Sequence, residues 1–270
     1  MSRFILWALT LACICIYLFV TAPAELPKQH AQTSDAHEID VAVMFHAVNA
    51  LNAHARQIYT REIVGAGKKV GLKFGEDWKE IGVEKGPLPA LFLRELSFEL
   101  EKRPEPLGLY LGSDKPINPS NLFKGDTAVD YKTVVMSREP IFSTLEGYGS
   151  IAMFPDFASA PGCVSCHNEH KDSPKNDWKL NDVMGATTWT WPDSTTSSDE
   201  IRQILKTEIE ALGEAYQNYL DKVSTFDALP KIGIEWPNSG QFVLPNKDAF
   251  LEAVMNAASP EILTTFIVAK

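Results

Sequence analysis

Apolar residues recur at helical spacing along two long stretches of the chain. From His37 to Val64 there is neither proline nor glycine, and Met44, Val48, Leu51, Ala55 and Ile58 fall on one stripe. This spacing predicts one long amphipathic helix, which Gly65, Gly67 and Gly71 are expected to break. Residues 71–86 read as a structured loop, and Pro87 and Pro89 precede a short helix over Ala90–Leu100. The second long stretch opens on the helix-start cluster Ser197-Ser198-Asp199-Glu200. Its stripe is Ile201, Ile204, Leu205, Leu212, Ala215, Tyr216 and Tyr219, running to about Lys222. A further helix is expected near Asp248–Ala258.

Between these stretches the pattern changes. Leu107–Leu111, Pro140–Phe142, Gly149–Phe154 and Asp182–Trp191 read as strands, with turns at Pro116 and Asn118–Asn121 and a helix over Asp126–Met136. Strands, turns and a helix intermixed in this way predict an antiparallel α+β domain.

Charge and the N-terminus narrow the classes. The chain has 25 Lys+Arg and 35 Asp+Glu, a net charge of -10. No nucleic acid is expected as a partner, since phosphates need a basic surface, and the balance is also a poor match for anionic lipid. Met1-Ser2-Arg3 is a short basic segment, Phe4–Val20 is almost wholly apolar, and Thr21-Ala22-Pro23-Ala24 offers an Ala-x-Ala cleavage site. Residues 1–24 therefore read as a secretory signal peptide, or as an uncleaved N-terminal anchor that would tie the protein to the inner membrane. Either reading puts the rest outside the cytoplasm, in the periplasm or an equivalent space. Residues 25–36 read as a linker, 37–195 as the principal domain and 196–270 as a C-terminal helical extension.

Cys13 and Cys15 lie in the apolar run, leaving Cys163 and Cys166 in the mature chain. Two neighbouring cysteines do not make a disulfide framework. Cys163-Val164-Ser165-Cys166-His167 has the C-x-x-C-H spacing of covalent haem attachment. Two thiols that close together can add to the two vinyl groups on one porphyrin edge, and the following histidine can ligate the iron. Attachment of haem c takes place outside the cytoplasm, in keeping with the export signal. Two other chemistries use these residue types: a structural zinc site on Cys163, Cys166, His167 and His170, and a thioredoxin-like dithiol. The first lacks zinc-finger spacing, and the second lacks a preceding βαβ pattern.

The residues around the motif resemble a known family. Cys163–His170, Ser173-Pro174-Lys175, Asp177-Trp178-Lys179-Leu180 and Asp182-Val183-Met184-Gly185 are similar to the bacterial c-type haem, PAS-like sensor domains. Upstream, Ala55–Thr60, Gly86–Ala90 and Ser113–Ile117 resemble the same family, and the likeness spans about residues 50 to 190. One departure is Asn181, where the pattern has glycine before Asp182. The resemblance implies a PAS-like antiparallel sheet with long flanking helices and one covalently attached haem c, its iron ligated by His167. It favours redox or gas sensing over catalysis.

Beside it, the residues permit further readings. Lys175 offers a cation to a haem propionate, or belongs to a solvated loop; Trp178 is expected to pack nearby. The family's N-terminal helix approaches the distal face of the haem. His46, His54, Met44 and Met153 are the side chains left for the sixth position; His54, at the edge of the Met44–Leu51–Ile58 face, is the candidate, while His46 lies on the opposite face. The competing readings are a helix-surface histidine with no role and five-coordinate iron open to a small gas ligand. Three functions stay open: a sensor acting on a signalling partner, a periplasmic electron-transfer cytochrome with a redox partner, and a small haem enzyme. The last lacks an acid–base constellation.

Overall fold

The computed structural model describes residues 38–147, 149–227, 232–233 and 244–268, together with Trp7. Apart from Trp7, the expected signal peptide or anchor lies outside the described residues, as do the linker, His30 and His37. Among those described, no helix is long and apolar enough to cross a membrane.

Strand β1 (Ile39–Asp40) leads into helix α1 (Val41–Ile58), whose first turn is capped by the Asp40 carboxylate accepting the Ala42 N–H at 2.8 Å. The helix continues through a π-helical turn (Tyr59–Gly65) into α2 (Ala66–Lys69). Gly65 and Gly67 therefore sit inside the helical run, contrary to expectation, and the break comes at Gly71, whose φ is 95°. Helix α3 (Pro89–Glu101) and strand β2 (Gly108–Gly112) follow. A 3₁₀ turn (Pro119–Asn121), α4 (Asp126–Ser137), β3 (Ile141–Leu145) and β4 (Gly149–Phe157) come next. Then come α5 (Pro161–Glu169), β5 (Val183–Trp191), β6 (Thr195–Thr196) and α6 (Ser198–Val223). The last elements are β7 (Ile232–Gly233), β8 (Leu244–Pro245) and α7 (Lys247–Val268).

The principal sheet is antiparallel, with strand order β2-β5-β4-β3. The expected α+β class holds, and the order, with the first strand beside the last, is consistent with a PAS-like fold. Alternation along the strands builds two cores. Leu109, Ala152, Phe154, Trp189 and Trp191 face the larger one, shared with α1, α3, α6 and α7. Met153, Val183 and Ala186 face a smaller one beneath α4, with Phe123, Tyr131 and Val134. The C-terminal helices thus share the main core: Phe92 of α3 meets Tyr216 of α6 and Phe250 of α7 edge to face, at 6.5 and 5.8 Å.

Two helices differ from their expected form. Helix α1 is buried on more than one stripe, because it is gripped by the sheet on one side and by α6 and α7 on others. Helix α7 runs on to Val268 through Pro260 rather than ending near Ala258.

Candidate functional site

The C-x-x-C-H motif lies on α5, a nine-residue helix. Pro161 occupies its first turn, where a missing N–H costs nothing, and the Ala160 carbonyl accepts the Cys163 N–H at 3.0 Å. The helix was not expected from the pattern, because Val164 is its only aliphatic residue and no stripe marks it. It is anchored from both sides. Ala158 donates to Asp182 O at 2.9 Å, and Asn181 donates to Ala158 O at 3.0 Å, tying the end of β4 to the entry of β5. Downstream, Asn168 grips Trp178 through both amide atoms.

Cys163 and Cys166 are both free thiols, the first half-buried and the second exposed. Three residues apart on a helix, they project to one side. Partial desolvation raises the Cys166 thiol, with Lys68 opposing the shift and Glu76 adding to it. The Cys166 thiol is therefore protonated near neutrality rather than poised as a reactive thiolate.

His167 is half-buried against Trp178, the rings edge to face at 6.4 Å. Desolvation lowers its pKa, and His170 and Arg56 lower it further. The imidazole is thus neutral at physiological pH, the form that ligates a metal. Its Nδ1 is buried with no hydrogen-bond partner among the described residues. A neutral, partnerless imidazole beside two free thiols on one face matches the donor set that haem c requires. His170, in contrast, is drawn off: its Nδ1 accepts the Asp172 N–H at 3.2 Å and its Nε2 lies 3.8 Å from Glu76. Among the described residues, no group of three or more His, Cys, Asp or Glu side chains is gathered as a bare metal ion would need.

Trp178 and Lys175 are brought to the same place. Trp178 is buried, and Lys175 Nζ lies 4.7 Å over its ring while also pairing with Asp177. His54 is not brought there by any contact the structure shows. Its Nε2 lies 3.2 Å from Glu261 on α7. Arg56, two residues on and about 200° around the helix, bonds Asp156 of β4 at 2.5 Å, and its charge reaches His167. His46 packs between the rings of Phe142 and Phe154, at 5.2 and 5.4 Å, so the face opposite the expected stripe meets the sheet rather than solvent.

Sequence reasoning gave no role to Asn168, Arg56 or Asp156. The first two lay inside segments quoted for the family likeness, yet neither residue type announces its partner across the fold. Asp156 accepts from both Arg56 and Thr187, the latter at 2.9 Å, and so links α1, β4 and β5 beside the motif helix.

No match to the chain was found among curated proteins or among solved structures. A family model, that of Tll0287-like domains, matches residues 30–192. The match covers more than half of the chain, and the protein belongs to the Tll0287-like family.

Proposed function

We propose that this protein is an exported c-type haem protein with one haem, held by thioethers to Cys163 and Cys166 and ligated by His167, and that it senses redox state or a gas. One observation carries the reading. Two free thiols and a neutral imidazole with a partnerless buried nitrogen project from a single short helix. The bound haem would supply an iron centre able to change oxidation state or take a small ligand. The chain's own residues do the rest. Trp178 fixes the His167 ring and limits water on that side, Asn168 fixes Trp178, and Lys175 offers a cation to a propionate. Membership of a family of cytochrome c-type, PAS-like sensor domains supports sensing through a partner protein.

A second reading is a periplasmic electron-transfer cytochrome. It is favoured by the exposure of Cys166, since electron exchange needs an attached edge within reach of a partner. The test is expression of the full chain with a cytochrome c maturation system. A haem-sized mass increase that survives denaturation is expected, lost when both cysteines are replaced by alanine. An unmodified mass with stoichiometric zinc would refute the assignment. On the loaded protein, ready binding of carbon monoxide supports gas sensing, and indifference to it supports redox sensing or electron transfer.

A further inference from the structure

The last two turns of α7 carry an apolar face that no other described residue covers. Leu263, Ile267 and Val268 are 62%, 71% and 76% exposed. Leu263 and Ile267, four positions apart, share one side of the helix, and Val268 widens it. The other side is spent on the protein, where Ile262 and Phe266 pack against the main core. No charged residue falls between Ile262 and Val268. The hydroxyls there are spent as well: Thr264 donates to Pro260 O at 2.8 Å and Thr265 to Glu261 O at 3.0 Å. Just before them, Ser259 donates to Met255 O at 2.6 Å. A hydroxyl that bonds back to its own helix has no need of water. The end of the helix is thus apolar in its bonding as well as in its composition.

Its place in the fold narrows what can cover it. Helix α7 runs antiparallel to α1. Phe250, near the start of α7, and Tyr59, just past the end of α1, both pack on Phe92, whereas Glu261 lies back at His54. The charge of Glu261 also reaches His46, earlier still in α1. The residues from Glu261 to Val268 advance a further 10 Å or so, about two turns, toward the start of α1 at Val41. That is the end at which the chain arrives from residues 1–37, within which Phe4–Val20 form an apolar run. Around the same end, Glu38, Asp193 and Asp199 are exposed; Val41 N–H donating to Ser194 O brings the second of these beside the helix start.

A second copy of the chain is a poor occupant. Three side chains at this exposure offer roughly 350 Å², less than half of the ~800 Å² that each partner of a standard interface buries. A lipid surface sets no such threshold. It asks for apolar side chains that reach past the headgroups and for polar groups already satisfied within the helix. Lys247, Asp248, Glu252 and Glu261 precede the apolar end, and α7 is not apolar enough to cross a membrane, so its end dips rather than spans. We propose that the end of α7 rests on a bilayer, with Leu263, Ile267 and Val268 in the acyl boundary of zwitterionic lipid. The exposed acids nearby disfavour anionic headgroups. The contact holds the start of α1 at the same surface. It goes beyond the haem assignment and does not depend on it.

The test uses the full chain as its host exports it, presented to phosphatidylcholine vesicles and carrying the photo-crosslinker p-benzoylphenylalanine in place of Ile267. After irradiation, intact mass separates a lipid adduct from a chain–chain adduct. A lipid adduct is expected. The same crosslinker in place of Val129, 61% exposed on α4, gives the background. With the crosslinker moved to position 268, Ile267→Glu should lower the lipid yield about tenfold, and Ile267→Leu should leave it unchanged. Ile267 is mostly exposed, so neither change puts folding at risk, and circular dichroism checks this. The readout is the same whether or not haem is attached. A chain–chain adduct in place of the lipid adduct overturns the proposal. So does a lipid yield at position 267 no higher than at position 129, or one that ignores Ile267→Glu.

Discussion

Asn168 holds Trp178 by both ends of its amide: Oδ1 accepts the Trp178 N–H at 2.8 Å, and Nδ2 donates to the Trp178 carbonyl at 3.0 Å. The residue directly after His167 thereby fixes the segment that carries the ring packed on His167. Asn168→Ala removes two partly buried hydrogen bonds and leaves the Trp178 peptide to find water. A loss of about 1–3 kcal/mol in unfolding free energy is expected, read from denaturant midpoints. Asn168→Asp keeps the first bond and loses the second, so it should fall between the wild type and the alanine variant. An alanine variant as stable as wild type would show that the clamp holds nothing.

His54 gives a sharper discrimination. Its position on the helix stripe and the family likeness made it the candidate sixth ligand, whereas the structure pairs it with Glu261 at 3.2 Å, about 200° around α1 from Arg56. In the haem-loaded protein, His54→Ala is therefore expected to leave the optical spectrum unchanged. Stability should fall by no more than about 1 kcal/mol, the range of partly exposed ion pairs. A change from low-spin to high-spin iron on that substitution would instead return His54 to the iron and require it to leave Glu261.

These residues show what the sequence could and could not carry. Helices α1, α3 and α6 were legible from the apolar period that survives in the chain, and strands β2, β4 and β5 from short runs of apolar, β-branched and aromatic residues bounded by turns. The same logic fails where burial is not one-sided. Helix α1 is enclosed by sheet and helices together, so the wheel that put His46 on an outer face mistook a second buried side for solvent. Helix α5 was hidden for the opposite reason: its side chains were chosen for chemistry, and they leave no stripe. The cysteines and His167 were legible by spacing alone. Asn168 and Arg56 were not, since their roles depend on partners that only the fold brings near.

Asn181 tests one detail of the family pattern. It replaces the expected glycine and sits at φ 70°, a left-handed conformation that asparagine tolerates and most residues avoid. Its N–H and carbonyl are both spent there, on Ala158 O and on Arg138. Asn181→Gly should change stability by less than about 0.5 kcal/mol. Asn181→Val forces a β-branched residue into the same conformation and should cost about 1–2 kcal/mol. Thermal unfolding of the two variants side by side decides it; equal midpoints would mean that the turn relaxes to another conformation at no cost.

Glu208 is a carboxyl group in the wrong solvent. It lies on α6 with no exposure, and neither oxygen has a hydrogen-bond partner among the described residues. Burial alone pushes its pKa well above the usual carboxylate range, and no neighbouring charge contributes to the shift. The folded protein therefore holds Glu208 protonated at pH values where the unfolded chain has released the proton. A raised pKa of this kind contributes stability that is fully present below the unfolded value, about 4.5, and is lost as pH rises through the folded value. Glutamine keeps the shape and cannot ionise. Glu208→Gln should thus match the wild type near pH 4 and become progressively more stable above it. The advantage should grow by about 1.4 kcal/mol per pH unit until the folded pKa is reached. Denaturant unfolding from pH 4 to pH 8 measures the difference directly. Parallel curves over that range would mean that Glu208 ionises as readily in the fold as out of it, which a fully buried and unpartnered carboxyl cannot do without water or a cation reaching it.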